Sequence, residues 1–184
     1  MTMLKPLTLL FILILCTTLV VTQSRIMTSN DANLIEKTCN KTQNHTLCLQ
    51  YLNANPKSST ADEYGLGLIM FDVIRLRALS TIKKIHELIA AGKFKKPRQP
   101  MALKSCYDKY KTLLEIDVGN ANYYLLSRDA ISAEYNAMDI IAKANTCEND
   151  FFGRFPYGKE LLTDDNNLMI DAATIAYDII RFIK

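Results

Sequence analysis

Two cysteines and two glycan acceptors share one short stretch near the N-terminus of this chain. Cys39 and Cys48 have eight residues between them, and the sequons that begin at Asn40 and Asn44 lie within that interval. Disulfides persist in oxidising compartments, and Asn-x-Ser/Thr sequons are glycan acceptors in secreted proteins. The stretch therefore predicts a disulfide at these cysteines and glycosylation at Asn40 and Asn44, rather than chemistry by a free thiol.

The first 24 residues have the pattern of a secretory signal peptide. Lys5 precedes an apolar run over residues 7–15, and the small residue Ser24 offers a cleavage point. The run is shorter than the roughly 20 residues that a spanning helix needs. An uncleaved anchor is the alternative, but we predict a signal peptide at residues 1–24. One mature domain at residues 25–184 would then be secreted, with no membrane attachment after cleavage.

The mature chain is long enough for one domain with a substantial core. Loss of Lys5 lowers the formal net charge from +3 to +2. A balance so close to neutral gives no electrostatic reason to expect nucleic acid or a membrane surface as a partner.

Four cysteines remain after cleavage, and four cysteines allow three disulfide pairings. Sequence order favours Cys39–Cys48 and Cys106–Cys147, because the first pair stands alone in a short segment. A zinc site is the competing interpretation. It is disfavoured because the chain has no Cys-x-x-Cys pair and begins with a secretory signal. We therefore expect two disulfides, no metal and no cofactor.

Four long segments of the mature chain carry apolar residues at alternating spacings of three and four, which is typical of amphipathic helices. Short connectors join them, and no strand-like alternation occurs. The segments begin near residues 60, 100, 129 and 163, after two shorter helical stretches at the N-terminus. Short connections make neighbouring helices antiparallel. The predicted fold is therefore all-α, an up-down-up-down four-helix bundle preceded by a short helical hairpin.

Several local features carry specific expectations. Thr60 and Glu63 have the spacing of a capping box for the first long helix, and Gly65 and Gly67 suggest close helix approach. The connector over residues 93–100 (KFKKPRQP) is basic. It is either a solvated loop or a contact for an acidic partner.

The third long helix has two candidate faces. Its expected inner face is apolar and consists of Ile131, Tyr135, Met138 and Ala142. Its polar residues also recur at three and four, and we expect them on one outer, partner-binding face: Asp129, Ser132, Asn136, Asp139 and Lys143.

Catalysis is poorly supported by the residue types present. His45 lies inside a sequon, and His86 stands beside Glu87 on a helix flank. The adjacent Asp164 and Asp165 are typical of a helix N-terminus, where negative charge is favourable. No serine or cysteine stands in a nucleophile-elbow motif. We therefore expect a binding protein and not an enzyme.

The order of several motifs resembles the plant invertase and pectin methylesterase inhibitor family. These motifs are the Cys39/Cys48 pair, Asn55-Pro56-Lys57-Ser58-Ser59 with Ala61-Asp62, Gly65-x-Gly67, Ala102-Leu103-x-x-Cys106 with Tyr110, and Thr146-Cys147-Glu148 with Phe151. The resemblance implies a four-helix bundle with an N-terminal hairpin and bridges 39–48 and 106–147. It also implies inhibition of a plant carbohydrate enzyme in the apoplast or cell wall, without catalysis.

The resemblance leaves two target enzymes open. Typical invertase inhibitors of the family carry Pro-Lys-Phe between the third and fourth cysteines, whereas this chain reads Asp129-Ala130-Ile131-Ser132 there. The segment is similar to the branch whose helices cover the cleft of pectin methylesterase in a one-to-one complex, which we favour. Acid invertase remains the alternative, because residues 55–67 are similar to pollen proteins described as invertase inhibitors. A secreted bundle without inhibitory activity is the third interpretation.

Overall fold

The computed structural model describes residues 29–152 and 160–183, and these parts contain helices and no strand. In chain order the helices are α1 (Ser29–Cys39), α2 (His45–Ala54), α3 (Glu63–Ala91), α4 (Gln99–Thr112), α5 (Val118–Leu126), α6 (Ala130–Phe152) and α7 (Thr163–Arg181). A 3₁₀ turn covers Pro56–Thr60, and a π-helical turn over Leu113–Asp117 joins α4 to α5. The predicted all-α class is confirmed. The expected signal peptide lies outside the described residues.

The long helices form a ring in which α4 and α5 act as one continuous rod. Helix α3 packs against this rod and against α7, while α6 packs against the other sides of the rod and α7. The end of α3 lies beside the start of α7, where Lys84 pairs with Asp165, and the start of α4 lies beside the end of α6 at the Cys106–Cys147 bridge. Neighbouring helices are therefore antiparallel, as the short connectors predict, and α3 and α6 are diagonally opposite.

The hairpin of α1 and α2 covers one end of the bundle. Ile35 and Leu52 are buried with the main core. The backbone N–H of Gln43 donates to Oδ2 of Asp178 in α7 at 2.8 Å, and Asp178 is itself buried. The loop that carries both sequons is therefore attached to the bundle by a hydrogen bond as well as by apolar packing.

The inner face of α6 differs from the predicted one. Ile131, Tyr135 and Met138 are 68%, 64% and 47% exposed, and Ala142 is also exposed. The residues that α6 buries are Ala133, Asn136, Ala137, Ile140, Ala144, Cys147 and Phe151. The prediction that the large apolar residues face inward was wrong.

Two constraints select the smaller residues for the inner face of α6. Cys147 must face Cys106, and the positions that share its face at helical spacing lead back through Ala144, Ile140 and Ala137. Helix α7 meets this row with small side chains of its own at Ala172, Ala173 and Ala176, all fully buried. Rows of alanine let the two helix backbones approach closely and pack at high density.

The last helix carries an apolar stripe at three and four spacing, predicted to face the core: Leu168, Ala172, Ile175, Ile179 and Phe182. Ala172, Ile175 and Ile179 are buried as predicted, whereas Leu168 and Phe182 at the two ends are each 41% exposed. Met169 and Ile180 are also buried, so the inner face of α7 is wider than the stripe.

The π turn explains an irregular spacing in the second long segment. Leu113 and Val118 are both buried although they are five residues apart, and the N–H of Val118 donates to the carbonyl of Leu113. This bond joins residue i+5 to residue i, whereas an α-helix joins i+4 to i. The π turn therefore takes up one additional residue and returns the following apolar positions to the core. Gly119 follows this turn within α5.

Gly67 marks a close contact between three helices. A Cβ atom at this position would lie 3.2 Å from Cδ1 of Leu125 and 3.5 Å from Cγ1 of Ile180. The expectation of close helix approach is confirmed for Gly67. Gly65 instead lies beside the start of the helix, near Ala61 and Asp62.

The N-terminal cap of α3 is Asp62 and not the predicted Thr60. Oδ1 of Asp62 accepts a hydrogen bond from the N–H of Gly65 at 2.8 Å, and its Oδ2 accepts one from Arg128 at 2.6 Å. Thr60 belongs to the 3₁₀ turn, where its hydroxyl donates to the carbonyl of Lys57. The hydrogen bond from the backbone N–H of Gly65 is the main cause that lowers the pKa of Asp62, and the hydrogen bond from Arg128 is the second.

Replacing Asp62 by alanine is expected to lower the free energy of unfolding by about 1 kcal/mol at pH 7, because α3 loses its cap. The lowered pKa means that this contribution is present above the ordinary Asp pKa of about 3.9 and is lost as pH falls through the folded-state value. Urea unfolding at pH 7 and at pH 3 measures both effects. Asp62→Asn is the control and should retain most of the stability, whereas an equal loss in both variants would exclude the cap as the cause.

Candidate functional site

Two disulfides hold the elements around the candidate site. Cys39 is bonded to Cys48, and Cys106 is bonded to Cys147, the pairing that sequence order and the family resemblance predict. All four residues are fully buried. Zinc binds cysteine as a thiolate, so these bonded sulfurs do not offer the four-cysteine site considered above. The first bridge closes the hairpin, and the second ties α4 to α6.

A buried polar cluster fixes the C-terminal half of α6 against α4 and α7. Tyr110 donates its hydroxyl to Oδ1 of Asn166 at 2.8 Å, and Nδ2 of Asn166 donates to Glu148 at 2.6 Å. The hydroxyl of Thr163 donates to the other carboxylate oxygen of Glu148. Burial raises the pKa of Tyr110 and keeps its phenol neutral as the donor. Helix α6 is therefore held rigidly, so its outer face has a defined shape.

The two histidines lie in surface contacts. Nε2 of His45 is 3.0 Å from Oε1 of Glu36, and His86 packs its ring against Tyr107 with centroids 5.1 Å apart. Among residues 29–152 and 160–183, no group of three or more His, Cys, Asp or Glu side chains is arranged to hold a metal. Within the same residues, no helix combines the length and apolar character needed to cross a bilayer.

The five polar candidates on α6 do not form one exposed face. Asp129 caps the helix by accepting from the N–H of Ser132 at 3.0 Å, and its hydrogen bonds with the Ser132 side chain and backbone lower its pKa. Asp139 is exposed and Ser132 is half-buried. Asn136 is only 9% exposed, with Nδ2 donating to the carbonyl of Ser132. The expectation of a shared outer face therefore fails at Asn136, which lies on the buried side of the helix.

Lys143 forms an ion pair with an acidic residue of the π turn. Its Nζ lies 2.8 Å from Oδ2 of Asp117, whose side chain is 6% exposed, while that of Lys143 is 25% exposed. Burial raises the pKa of Asp117, and Lys143 opposes this rise. Exposed Asp139 also contributes to the rise as a like charge. This geometry gives Lys143 a structural role between α6 and the α4–α5 rod.

Replacing Lys143 by methionine is expected to lower the free energy of unfolding by about 2 kcal/mol at pH 7, because Asp117 is left buried and unpaired. Because the pKa of Asp117 is raised in the folded state, the free energy of unfolding falls as pH rises from the ordinary Asp pKa through the pKa of folded Asp117. The loss should therefore be smaller at pH 4 than at pH 7 in urea unfolding. Adding Asp117→Asn should restore much of the stability, and a loss that is independent of pH would contradict this account.

The exposed side of α6 carries the apolar residues that the inner face excludes. Ile131, Tyr135 and Met138 follow one another at four and three residues, and exposed Asp139 and Ala142 lie beside them. We call these five residues the α6 face. A groove of about 430 Å³ adjoins it, lined by Met138 and Ala142 together with residues of α7 that include Tyr177. Large apolar side chains with a polar margin are typical of the centre of a protein interface.

Helical periodicity did not identify this face, since it placed the same side chains in the core. The signal that does identify it is the register of Cys147. Counting back from that cysteine by three and four residues reaches Ala144, Ile140 and Ala137. Positions offset from this row, including Tyr135 and Met138, are therefore directed away from the bundle.

These features define a class: an all-α, disulfide-bridged four-helix bundle that presents an exposed apolar helix face. The chain belongs to the plant invertase/pectin methylesterase inhibitor family, whose sequence model matches residues 33–179. The family consists of inhibitor proteins.

Relatives named for both target enzymes are similar to the chain. It is 33% identical over 127 residues to the Arabidopsis thaliana cell wall / vacuolar inhibitor of fructosidase 1, covering 69% of this chain and 60% of that protein. It is 32% identical over 126 residues to the pectinesterase inhibitor of Actinidia deliciosa, covering 66% and 64%. The matched part thus spans less than two thirds of each of these relatives.

Solved structures show the same fold. A mutant form of a pectin methylesterase inhibitor from Arabidopsis superposes with a TM-score of 0.68 at 25% identity, covering 82% of this chain and 97% of that one. A second structure of a pectin methylesterase inhibitor from Arabidopsis thaliana gives a TM-score of 0.58, also at 25% identity.

Proposed function

We propose that this protein is a secreted inhibitor of a plant cell-wall carbohydrate-active enzyme, and that its target is a pectin methylesterase. The α6 face is the observation that carries the proposal. Full burial of a large apolar side chain contributes about 1.5–3 kcal/mol, and Ile131, Tyr135 and Met138 forgo part of this because they are 68%, 64% and 47% exposed. A contiguous apolar stripe on a rigid helix is a typical feature of a surface that is covered by a partner.

The inhibitor acts by covering the target and carries out no chemistry itself. The bundle docks the α6 face over the substrate cleft of the esterase in a one-to-one complex and excludes the polymer. Tyr135 and Met138 supply the apolar anchors, while Asp129, Ser132 and Asp139 supply polar contacts at the margin. The Cys106–Cys147 bridge and the hydrogen bond of Glu148 with Asn166 hold α6 in place before binding, so little conformational entropy is lost when the complex forms.

The choice of esterase over invertase rests on the start of α6. Typical invertase inhibitors of the family carry Pro-Lys-Phe in this region. In this chain Asp129 caps the helix, and Ile131 is the first residue of the α6 face. Inhibition of an acid invertase is the second candidate, favoured by the 33% identity to an inhibitor of fructosidase.

Secretion to the cell wall is part of the proposal. It is supported by the signal-like residues 1–24 and by a relative named as a cell wall inhibitor. Asn40 and Asn44 are both exposed, which is compatible with their predicted glycosylation. The mature protein is residues 25–184.

Titration of the mature protein against two enzymes tests the proposal. Purified plant pectin methylesterase and acid invertase are each assayed at mildly acidic pH with rising concentrations of the protein. Loss of esterase activity alone, saturating at one equivalent, is the expected result. Loss of invertase activity alone would transfer the function to the second candidate. Full activity of both enzymes would contradict inhibition of either.

A further inference from the structure

The connector between α3 and α4 presents a second surface, separate from the α6 face. Residues 93–98 include four cationic side chains, all of them exposed. Lys96 forms an ion pair with buried Glu160, and the other three are Lys93, Lys95 and Arg98. We call Lys93, Lys95 and Arg98 the connector cations.

A buried scaffold determines the shape of this connector. Gln99 is 5% exposed, and its Oε1 accepts hydrogen bonds from the backbone N–H groups of Lys95 at 2.9 Å and Lys96 at 3.2 Å. Nε2 of Gln99 donates to Oε2 of Glu160 at 3.1 Å. Phe94 packs against the main core. The connector is therefore an ordered turn, attached to the bundle by Phe94 on the core and by the ion pair of Lys96 with buried Glu160.

This scaffold leaves the connector cations directed outward and without acidic partners in the described part of the chain. The nearby carboxylates already have partners, since Glu160 pairs with Lys96 and Asp150 pairs with Lys109. Arg98 also lines a surface groove with Asp150 and Met101. A group of unpaired cations at fixed positions attracts polyanions and favours one with repeated negative charges.

We infer that the connector cations bind a linear polyuronate, that is, a polysaccharide with consecutive free carboxylates. The choice of this polyanion rests on the proposed function, because hydrolysis of pectin methyl esters leaves such carboxylates on the polymer. Carboxylates along the chain pair with ammonium and guanidinium groups by charge-assisted hydrogen bonds. Binding holds the inhibitor on polymer that has already been de-esterified, while the α6 face remains available to the enzyme.

Binding of the mature protein to immobilised polygalacturonate tests this inference. The comparison ligand is the same polymer with all carboxylates methyl-esterified. Phosphatidylserine vesicles serve as a second polyanion. The test variant is Lys93→Gln/Lys95→Gln/Arg98→Gln. The matched control is Lys37→Gln/Lys83→Gln/Lys111→Gln, which removes the same charge from exposed positions on three different helices.

The native protein is expected to bind polygalacturonate, with affinity falling between ionic strengths of about 0.01 M and 0.15 M. The connector variant should bind at least about tenfold more weakly, and the control within about twofold. Absence of binding by the native protein, equal binding to the esterified polymer, equal losses in both variants, or equally tight binding to the vesicles would each overturn the inference.

Esterase inhibition is measured on the same proteins with a short, neutral, fully esterified substrate. The connector variant should inhibit as the native protein does. If the native protein inhibits no enzyme but still binds polygalacturonate through the connector, the proposed function fails and the polyuronate site stands. If it inhibits the esterase but does not bind the polymer, only the polyuronate site fails.

Discussion

The double variant Tyr135→Arg/Met138→Arg is expected to raise the inhibition constant for the target esterase by at least about a hundredfold. Both side chains are anchors of the α6 face, and each central apolar residue of an interface contributes on the order of 1–2 kcal/mol or more. Arginine at these positions adds charge that the closed interface would have to desolvate. The bundle should remain folded, since Tyr135 and Met138 are 64% and 47% exposed.

A matched control lies on the opposite helix. Leu76 and Leu79 of α3 are 58% and 44% exposed, and α3 is diagonal to α6 in the bundle. Leu76→Arg/Leu79→Arg should leave inhibition within about twofold of the native value. Equal losses in the two double variants, or full inhibition by Tyr135→Arg/Met138→Arg, would remove the α6 face from the proposed mechanism.

Polar positions of α6 give a less clear test. Ser132→Arg/Asn136→Arg follows from the sequence pattern, but Asn136 is buried and bonded to the carbonyl of Ser132. Arginine there would disrupt the packing of α6 on the bundle. A loss of inhibition in that variant would therefore reflect unfolding as well as any lost contact.

Removing the Cys106–Cys147 bridge is expected to lower the free energy of unfolding by about 4 kcal/mol, the larger of the two disulfide effects. The two residues are 41 apart in sequence, so the bridge closes a long loop in the unfolded chain. Cys39 and Cys48 are only nine apart in sequence, and loss of their bridge should cost about 2.7 kcal/mol in the same chain-entropy account. Urea unfolding of Cys106→Ala/Cys147→Ala and Cys39→Ala/Cys48→Ala measures both values.

The two bridges are also expected to stabilise different parts of the protein. The longer bridge connects α4 to α6, so its removal should lower the protection of amide hydrogens throughout the bundle. The shorter bridge should affect mainly α1 and α2, because it closes the hairpin. A larger loss from the shorter bridge would show that strain or native packing outweighs the constraint on the unfolded chain.

Much of this protein could be predicted from its sequence because the relevant signals are local or cumulative. Apolar residues at three and four spacing predicted the long helices, and short connectors predicted their antiparallel order. Four cysteines in the mature chain, together with their order, predicted the two bridges. Motif order indicated the family, and Gly67 indicated a close helix contact. Each of these signals is strong without knowledge of which surfaces meet.

The hydrophobic pattern of α6 did not determine which side of the helix faces the core; helix packing and the Cys106–Cys147 bridge did. The helix has two candidate stripes, and the hydrophobic pattern favours the one with Ile131, Tyr135 and Met138. The structure buries Ala133, Ala137 and Ala144 instead, because Cys147 must reach Cys106 and because alanines on α7 allow close packing. Periodicity measures the hydrophobicity of one helix, whereas burial depends on the shape of its neighbour. For that reason the sequence determined the bundle and its bridges, and helix packing determined the exposed face.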